Sequence, residues 1–157
     1  MDVDVEQLVE GIAPREALER RRDGWWVVSP DPDVRAMATR MVDHDVRLAT
    51  VTGVPGADGV LRLIYHWDVG ATILNVQVSV RDGHIPTICD LIPGADWVER
   101  ELRDYFAVSF DGRPETLPLM LSGGDAPGFF NRTGDVGHEA DPAETAQVAA
   151  QTREEAR

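Results

Sequence analysis

The segment from Ile85 to Phe106 has the sequence IPTICDLIPGADWVERELRDYF and carries the strongest structural signal in the chain. A turn rich in Pro and Gly leads into charged and aromatic residues with helical spacing. Asp96 is a favoured N-cap residue, and Glu99 three positions later completes a capping-box pattern. The sequence therefore predicts a helix that is capped by Asp96 and continues to Phe106.

One side of this predicted helix is apolar. At about 100° per residue, five side chains share that arc: Trp97, Val98, Leu102, Tyr105 and Phe106. Glu101 projects between Trp97 and Tyr105, inside the arc. It either lies at the edge and extends to water, or it meets an Arg, a Lys or a backbone donor at an interface, because an unpaired buried charge is costly.

Composition limits the classes of function. The chain has 157 residues, which suits one domain, and its formal net charge of −13 argues against direct binding of nucleic acid or an anionic membrane. No apolar run approaches the roughly 20 residues needed to cross a bilayer, so direct membrane insertion is not expected. No basic and apolar leader opens the sequence, which predicts a cytoplasmic protein. Cys89 is the only cysteine, which excludes an internal disulfide and a cluster held by about four cysteines.

The first third of the chain reads as helices around one short strand. Helical spacing predicts a helix over Val5–Ile12, and we expect a second helical piece from Pro14 to Arg22 that ends at its three arginines. Trp25–Val28 is a candidate strand. Asp31 and Pro32 resemble the N-cap and first position of another helix, whose buried face would comprise Val34, Met37, Ala38, Met41 and Val42.

The middle of the chain alternates apolar and polar residues, as strands with one buried face do. The predicted strands are Val46–Val54, Leu61–Trp67 and Leu74–Val80, followed by the charged helix. Leu74, Val76, Val78 and Val80 should face the core. The element order predicts an α+β fold, with helices packed on a mixed, mostly antiparallel sheet and followed by an extended C-terminal tail.

Composition changes after Phe110, where Gly, Pro, Asp and Glu become frequent. We therefore expect one α+β domain over residues 1–121 and an acidic, Gly/Pro-rich, partly disordered tail over 122–157. Phe129 and Phe130 form an aromatic island in that tail, next to Arg132. These aromatics either fold back on their own domain or dock on a partner, with Arg132 at the rim of the contact.

Few residues of the chain have the spacing of a catalytic, nucleotide-binding or metal site. No glycine-rich nucleotide motif occurs, and the four histidines lack metal-ligand spacing. Cys89 with His84 would suit a small thiol enzyme, although a lone cysteine beside Ile88 is more often a small buried hydrophobe. An independent adaptor domain is the remaining class. The residues alone predict no catalytic, cofactor-binding or metal site.

The region 85–114 resembles the 30 kDa subunit of the respiratory NADH–quinone oxidoreductase (complex I) family. The family pattern is a Pro, Asp-Leu, a Pro, Ala-x-Trp, Glu-Arg-Glu, an Asp, a Phe and a later Phe-x-Gly-x-Pro. This chain matches it at Pro86, Asp90-Leu91, Pro93, Ala95-Asp96-Trp97, Glu99-Arg100-Glu101, Asp104, Phe106 and Phe110-Asp111-Gly112-Arg113-Pro114. The strands before it are compatible with the family, so the resemblance extends over about residues 25 to 121.

The resemblance implies a cofactor-free accessory subunit of the peripheral arm. It would dock on the large catalytic subunit, beside the iron–sulfur subunits, and support electron transfer from NADH toward quinone. It would lie on the cytoplasmic side of the cell membrane, held there through the complex. No residue would be catalytic, and the interface or scaffold residues would be Trp97, Glu99, Arg100, Glu101, Asp104, Phe106, Phe129, Phe130 and Arg132.

Three positions depart from the family pattern. Arg113 stands where a His is usual, Ala107 stands where a Gly is expected, and Leu117-Pro118-Leu119 replaces basic residues. In these respects the chain is similar to the related subunits of membrane-bound NiFe-hydrogenases and of formate hydrogenlyase. The corresponding accessory subunit of such a complex is the alternative that the resemblance implies.

Overall fold

The computed structural model describes residues 4–28, 32–114, 117–122 and 124–131. Three α-helices and seven strands follow in the order α1, β1, β2, α2, β3, β4, β5, β6, α3 and β7. The helices are α1 (Val5–Val9), α2 (Val34–Asp43) and α3 (Ala95–Phe106). The strands are β1 (Leu18–Arg21), β2 (Gly24–Val28), β3 (Arg47–Pro55), β4 (Leu61–Val69), β5 (Thr72–Ser79), β6 (His84–Pro86) and β7 (Ser109–Asp111).

Five strands form the main sheet in the order β1-β2-β5-β4-β3. Only β2 and β5 run parallel, and the other three pairings are antiparallel. β6 and β7 form a separate parallel pair. The predicted α+β class, with a mixed and mostly antiparallel sheet, is confirmed.

Alternation along β4 and β5 builds the core as the sequence predicts. Leu63, Tyr65 and Trp67 are buried on β4, and Leu74, Val76 and Val78 are buried on β5, with Val80 just beyond it. The register places Tyr65 opposite Val76 and also opposite Val51 of β3. These side chains and the buried faces of the helices belong to one hydrophobic cluster.

The predicted helix over Pro14–Arg22 is wrong. A single 3-10 turn, Arg15–Ala17, leads into β1, which pairs antiparallel with β2 in a hairpin. Arg20 and Arg21 are therefore strand residues, Arg22 lies in the turn, and the guanidinium of Arg21 lies 4.6 Å from the ring centre of Trp26. Pairing with β2 and stacking on its tryptophans outweigh the weak helical preference of this segment.

The predicted start of the next helix at Asp31–Pro32 is also wrong. α2 is capped by Asp33, whose Oδ1 accepts the N–H groups of Arg35 and Ala36, both at 2.9 Å. Pro32 precedes the helix, and Asp31 lies outside the described residues. The buried face holds four of the five predicted residues, whereas Val42 at the border of the arc is 45% exposed.

α3 packs very closely on β3, and Gly53 makes this possible. A Cβ atom at Gly53 would lie 2.4 Å from Cε2 of Phe106 and 3.0 Å from Cδ2 of Leu102. Carbon atoms do not approach so closely, so a side chain here would push α3 away from the sheet. The position of the helix therefore depends on this glycine.

We expect Gly53→Ala to lower the free energy of unfolding by about 1–3 kcal/mol, because the added methyl overpacks the contact with α3. Urea denaturation of the purified chain measures this. Gly124→Ala is the control, since no atom lies within 4 Å of the Cβ it would add. Equal stability of the two variants would show that α3 lies farther from β3.

Candidate functional site

Glu99 is the buried carboxylate of α3, with 2% of its surface exposed. Its Oε2 accepts the hydroxyl of Thr87 at 2.6 Å, and its Oε1 accepts the backbone N–H of Ile88 at 2.8 Å. Oε2 also accepts Nη1 of Arg113 at 2.9 Å. One side chain therefore joins α3 to the turn that precedes it and to the segment that follows β7.

Arg113 supplies the counter-charge for this cluster, and its side chain is only 5% exposed. Besides Glu99, its guanidinium binds the carboxylate of Asp96 in the first turn of α3. A buried ion pair needs hydrogen bonds of this kind to offset desolvation, and it constrains geometry more than it adds stability. Removing Arg113 would leave the carboxylate of Glu99 buried without its counter-charge.

The predicted cap at Asp96 is wrong. α3 begins one residue earlier at Ala95, after Gly94, and no side chain caps it. The preceding chain already turns in a helical sense, with the N–H of Ala95 bonded to the carbonyl of Ile92. The carboxylate of Asp96 is thereby free to bind Arg113 and to lie 3.6 Å from Nη1 of Arg100.

Asp104 is the second buried carboxylate of α3 and is fully shielded from solvent. Its Oδ2 accepts the backbone N–H groups of Leu119 at 2.7 Å and Met120 at 2.8 Å. Arg100, one turn earlier on α3, holds the beginning of the same segment, because its Nε donates to the carbonyl of Leu117 at 3.2 Å. Both charged side chains thus fasten residues 117–122 onto the helix.

Of the two interpretations of Glu101, its position agrees with the one that places it at the edge of the apolar arc. Glu101 is half-buried, and the neighbouring Trp97 is 68% exposed. The residues of α3 that are buried are Ala95, Glu99, Leu102 and Asp104. The helix is rotated relative to the predicted arc because Arg113 and the backbone of the 117–122 segment provide partners for Glu99 and Asp104.

The aromatic island packs on the end of α3. The ring of Phe130 lies 4.7 Å from that of Tyr105 and 5.7 Å from that of Phe106, measured between centroids. Nδ2 of Asn131 donates to the carbonyl of Phe106 at 2.7 Å. These contacts support the interpretation in which the aromatic residues fold back on their own domain. Phe129 and Phe130 nevertheless remain 49% and 57% exposed. Arg132 and the rest of the predicted tail lie outside the described residues.

Ala107, at the position where the family pattern has Gly, ends α3 in the left-handed conformation with φ 58° and ψ 30°. Glycine adopts this conformation without the steric cost that a Cβ imposes. Ala107 therefore carries a conformational cost that a glycine would avoid.

The hydrogen bonds of His84 and Cys89 lead to different residues and do not join the two side chains. His84 Nδ1 lies 2.9 Å from Oδ1 of Asp111, whereas Cys89 Sγ lies 3.2 Å from Oγ1 of Thr87. Within the described ranges, no three His, Cys, Asp or Glu side chains group as ligands for a metal ion. In the same ranges no helix has the length and apolarity to cross a bilayer.

Sequence reasoning missed Arg35, which ties α2 to the turn before α3. Its guanidinium donates to both carboxylate oxygens of Asp90, at 2.8 and 2.7 Å, and to the carbonyl of Thr87 at 2.7 Å. This hydrogen-bonded pair lowers the pKa of Asp90. Burial, together with the charge of Glu99, raises the pKa of Tyr65.

The Asp90–Arg35 pair should make stability depend on pH. Because folding lowers the pKa of Asp90 below 3.8, its contribution is present above that pH and is lost as the pH falls further. We expect Asp90→Asn to be less stable than the parent at pH 7 and to approach it below pH 3.8. Urea denaturation of both chains across this range is the measurement, and a constant difference would contradict the assignment.

Comparisons with known proteins show which family the chain resembles. The family model described as "Respiratory-chain NADH dehydrogenase, 30 Kd subunit" matches residues 27–130. The chain is 39% identical over 82 residues to the C/D subunit of the NADH-quinone oxidoreductase of Edwardsiella ictaluri, and equally to that of Shigella flexneri serotype 5b. Those matches cover 49% of this chain and 13% of each relative, so the chain spans a small part of these proteins.

Two solved structures are similar. A chain of the membrane-bound sulfane sulfur reductase, an archaeal respiratory membrane complex, matches with a TM-score of 0.58 and 26% identity, over 70% of this chain and 69% of that one. The trypsin-resistant fragment of Nqo5 matches with a TM-score of 0.56 and 24% identity, over 71% and 96%, and shows the fold. With two-thirds of its length matched by the family model, this chain belongs to the 30 kDa subunit family of the respiratory-chain NADH dehydrogenase.

Proposed function

We propose that the chain is an accessory subunit of a complex I-type oxidoreductase. It docks on the large catalytic subunit and supports electron transfer from NADH toward quinone without a cofactor of its own. The observation that carries this proposal is the family match over residues 27–130, which includes α3 and every partner of its two buried carboxylates. Its contribution is to position the subunits that hold the redox centres.

The two sides of α3 support a docking role. The inward side holds Glu99 and Asp104, whose hydrogen bonds fasten three segments of the chain. The outward side presents Trp97 at 68% exposure beside Glu101. Exposed tryptophans are frequent anchors of protein interfaces, so this side is the proposed contact with the large subunit.

The remaining proposed partners are the iron–sulfur subunits of the same complex. The complex would hold the chain at the cytoplasmic side of the cell membrane. The formal net charge of −13 supports contact with proteins rather than with the anionic lipid surface. Phe129, Phe130 and Arg132 would add a second contact, next to the end of α3.

The corresponding subunit of a membrane-bound hydrogenase or of formate hydrogenlyase is the second candidate. The observation that keeps it open is the match at 26% identity to a chain of the sulfane sulfur reductase, a respiratory membrane complex that is not named as an NADH dehydrogenase. Arg113 fits both candidates, because in this chain it serves the buried cluster of Glu99 and Asp96.

Affinity purification from the source cells tests the proposal. A tagged full-length chain is extracted from membranes in mild detergent, and its partners are identified by mass spectrometry against an untagged control. We expect a large catalytic subunit, iron–sulfur subunits and NADH–quinone activity. Hydrogen- or formate-dependent activity without NADH oxidation would support the second candidate, and a chain that purifies alone would contradict both.

A further inference from the structure

The outer edge of β3 is open. In the part of the chain that the structure describes, β3 is the last strand of the main sheet and has β4 as its one strand partner. Among the described residues, no backbone–backbone hydrogen bond joins its other edge to a further segment. Alternate N–H and C=O groups of such an edge point away from the sheet and can pair with an added strand.

A groove of about 530 Å³ runs between this edge and α3. Leu48, Ala49 and Thr50 of β3 form one wall, and Trp97 and Val98 of α3 belong to the other. The surfaces offered to an occupant are mainly apolar. Strand pairing along the edge and apolar side chains in the groove could therefore act on the same segment.

Met120 and Glu101 also line the groove. Met120 is 56% exposed and lies on the segment that Asp104 fastens to α3. Glu101 is the charged residue of the lining, in which no Arg or His takes part within the described residues. An occupant with a Lys or Arg near this carboxylate would complement it.

The opposite edge of the same sheet is built differently. β1 has only four residues, and the guanidinium of Arg20 lies 5.3 Å from the ring centre of Trp25. Short, charged edges of this kind resist strand addition. β3 has nine residues, of which six are exposed: Arg47, Ala49, Thr50, Thr52, Val54 and Pro55. The charge and the proline lie at its two ends and leave the stretch between them uncharged.

We propose that β3 accepts an extended segment of a partner subunit as a sixth strand. Alternate apolar side chains of that segment fill the groove, and a Lys or Arg lies opposite Glu101. An extended occupant is favoured over a helix because only an extended backbone can satisfy the open edge. The proposal rests on the proposed function, since the partner is a subunit of the same complex.

Amide hydrogen exchange tests the strand pairing. The full chain is compared alone and within the complex purified from its cells. We expect amides in the peptide covering residues 47–55 to exchange at least tenfold more slowly in the complex. The peptide covering residues 18–21 is the internal control, and its exchange should not change.

A photo-reactive amino acid at Ala49 identifies the occupant. We expect mass spectrometry to find it joined to an extended, apolar segment of a partner subunit that contains a Lys or Arg. Glu101→Lys should reduce this cross-link at least fivefold. Glu16→Lys is the matched control, because Glu16 is exposed on the 3-10 turn beside β2, across the sheet from β3.

Several outcomes would overturn the inference. A cross-link to a second copy of this chain, or to its own residues 132–157, would identify a different occupant. Unchanged exchange over 47–55 in an assembled complex would refute strand addition while leaving the proposed function intact. Absence of any complex would refute the proposed function and the inference together.

Discussion

Glu99→Ala should lower the free energy of unfolding by about 3–5 kcal/mol. The variant removes one of the two carboxylates that pair with the buried Arg113 and also removes the acceptor of the Ile88 N–H. Loss of one member of a buried ion pair typically has this cost, because the remaining charge stays desolvated. Such a loss is a large part of the total stability of a small domain. Urea denaturation of the purified chain measures it.

Glu101→Ala is the matched control for this variant. It removes the same side chain two positions away on the same helix, where the carboxylate is half-buried. We expect a change below about 1 kcal/mol, as for ordinary surface substitutions. The double variant Glu99→Met with Arg113→Met should recover much of the loss, because an apolar pair removes the unpaired charge. Equal stability of the Glu99→Ala and Glu101→Ala variants would contradict the buried cluster.

Asp104→Ala should lower the free energy of unfolding by about 2–3 kcal/mol. It should also release the segment that follows β7. The N–H groups of Leu119 and Met120, which are part-buried, lose their common acceptor, and a donor that loses its partner away from water carries a penalty. Chymotrypsin should then cleave within residues 117–122 faster than in the parent. Asp104→Asn keeps one acceptor oxygen and should lose less.

Asp125→Ala provides the comparison for Asp104→Ala. Asp125 also accepts a backbone N–H, that of Ser122 at 3.1 Å, but it is exposed. Water can replace that contact, so stability and cleavage should stay near the parent values. Slow cleavage of the Asp104→Ala variant would mean that other contacts hold the 117–122 segment.

Among the predicted strands, β4 and β5 show the clearest period. Every second residue along them is buried, with Asn75 of β5 as an additional buried residue, so the apolar side chains repeat with the period of a strand. β1 has no such pattern, because its residues are partly or fully exposed and pair through their backbone. β6 and β7 have three residues each, which is too short for a period to show.

The charged helix shows where the reasoning from sequence reaches its limit. The pattern correctly indicates a helix and a carboxylate whose burial would be costly. It points to Glu101, whereas the buried carboxylates are Glu99 and Asp104. The identity of the buried residue depends on Arg113, which lies 14 positions away from Glu99 and reaches it only after the chain has passed through β7. A helical wheel contains no information on such a partner. The pairing of Asp104 with the backbone of Leu119 is hidden for the same reason.

The different roles of the two sides of α3 also explain why a short motif is dense in charge. Asp96, Glu99 and Asp104 serve internal contacts and define the position of the helix. Trp97 and Glu101 are left on the outer side, next to the groove along β3. In this account, a rigid inner cluster holds an outer surface in the geometry that a partner recognises.

The most direct test of this account is the amount of large subunit that co-purifies with a tagged Trp97→Ala chain, relative to the parent chain. We predict at least a tenfold loss, with the melting temperature of the free chain unchanged, because Trp97 is 68% exposed and contributes little to the core. Val42→Ala, which truncates an exposed apolar residue on α2, should retain full assembly. Full assembly of the Trp97→Ala chain would contradict docking through the outer side of α3.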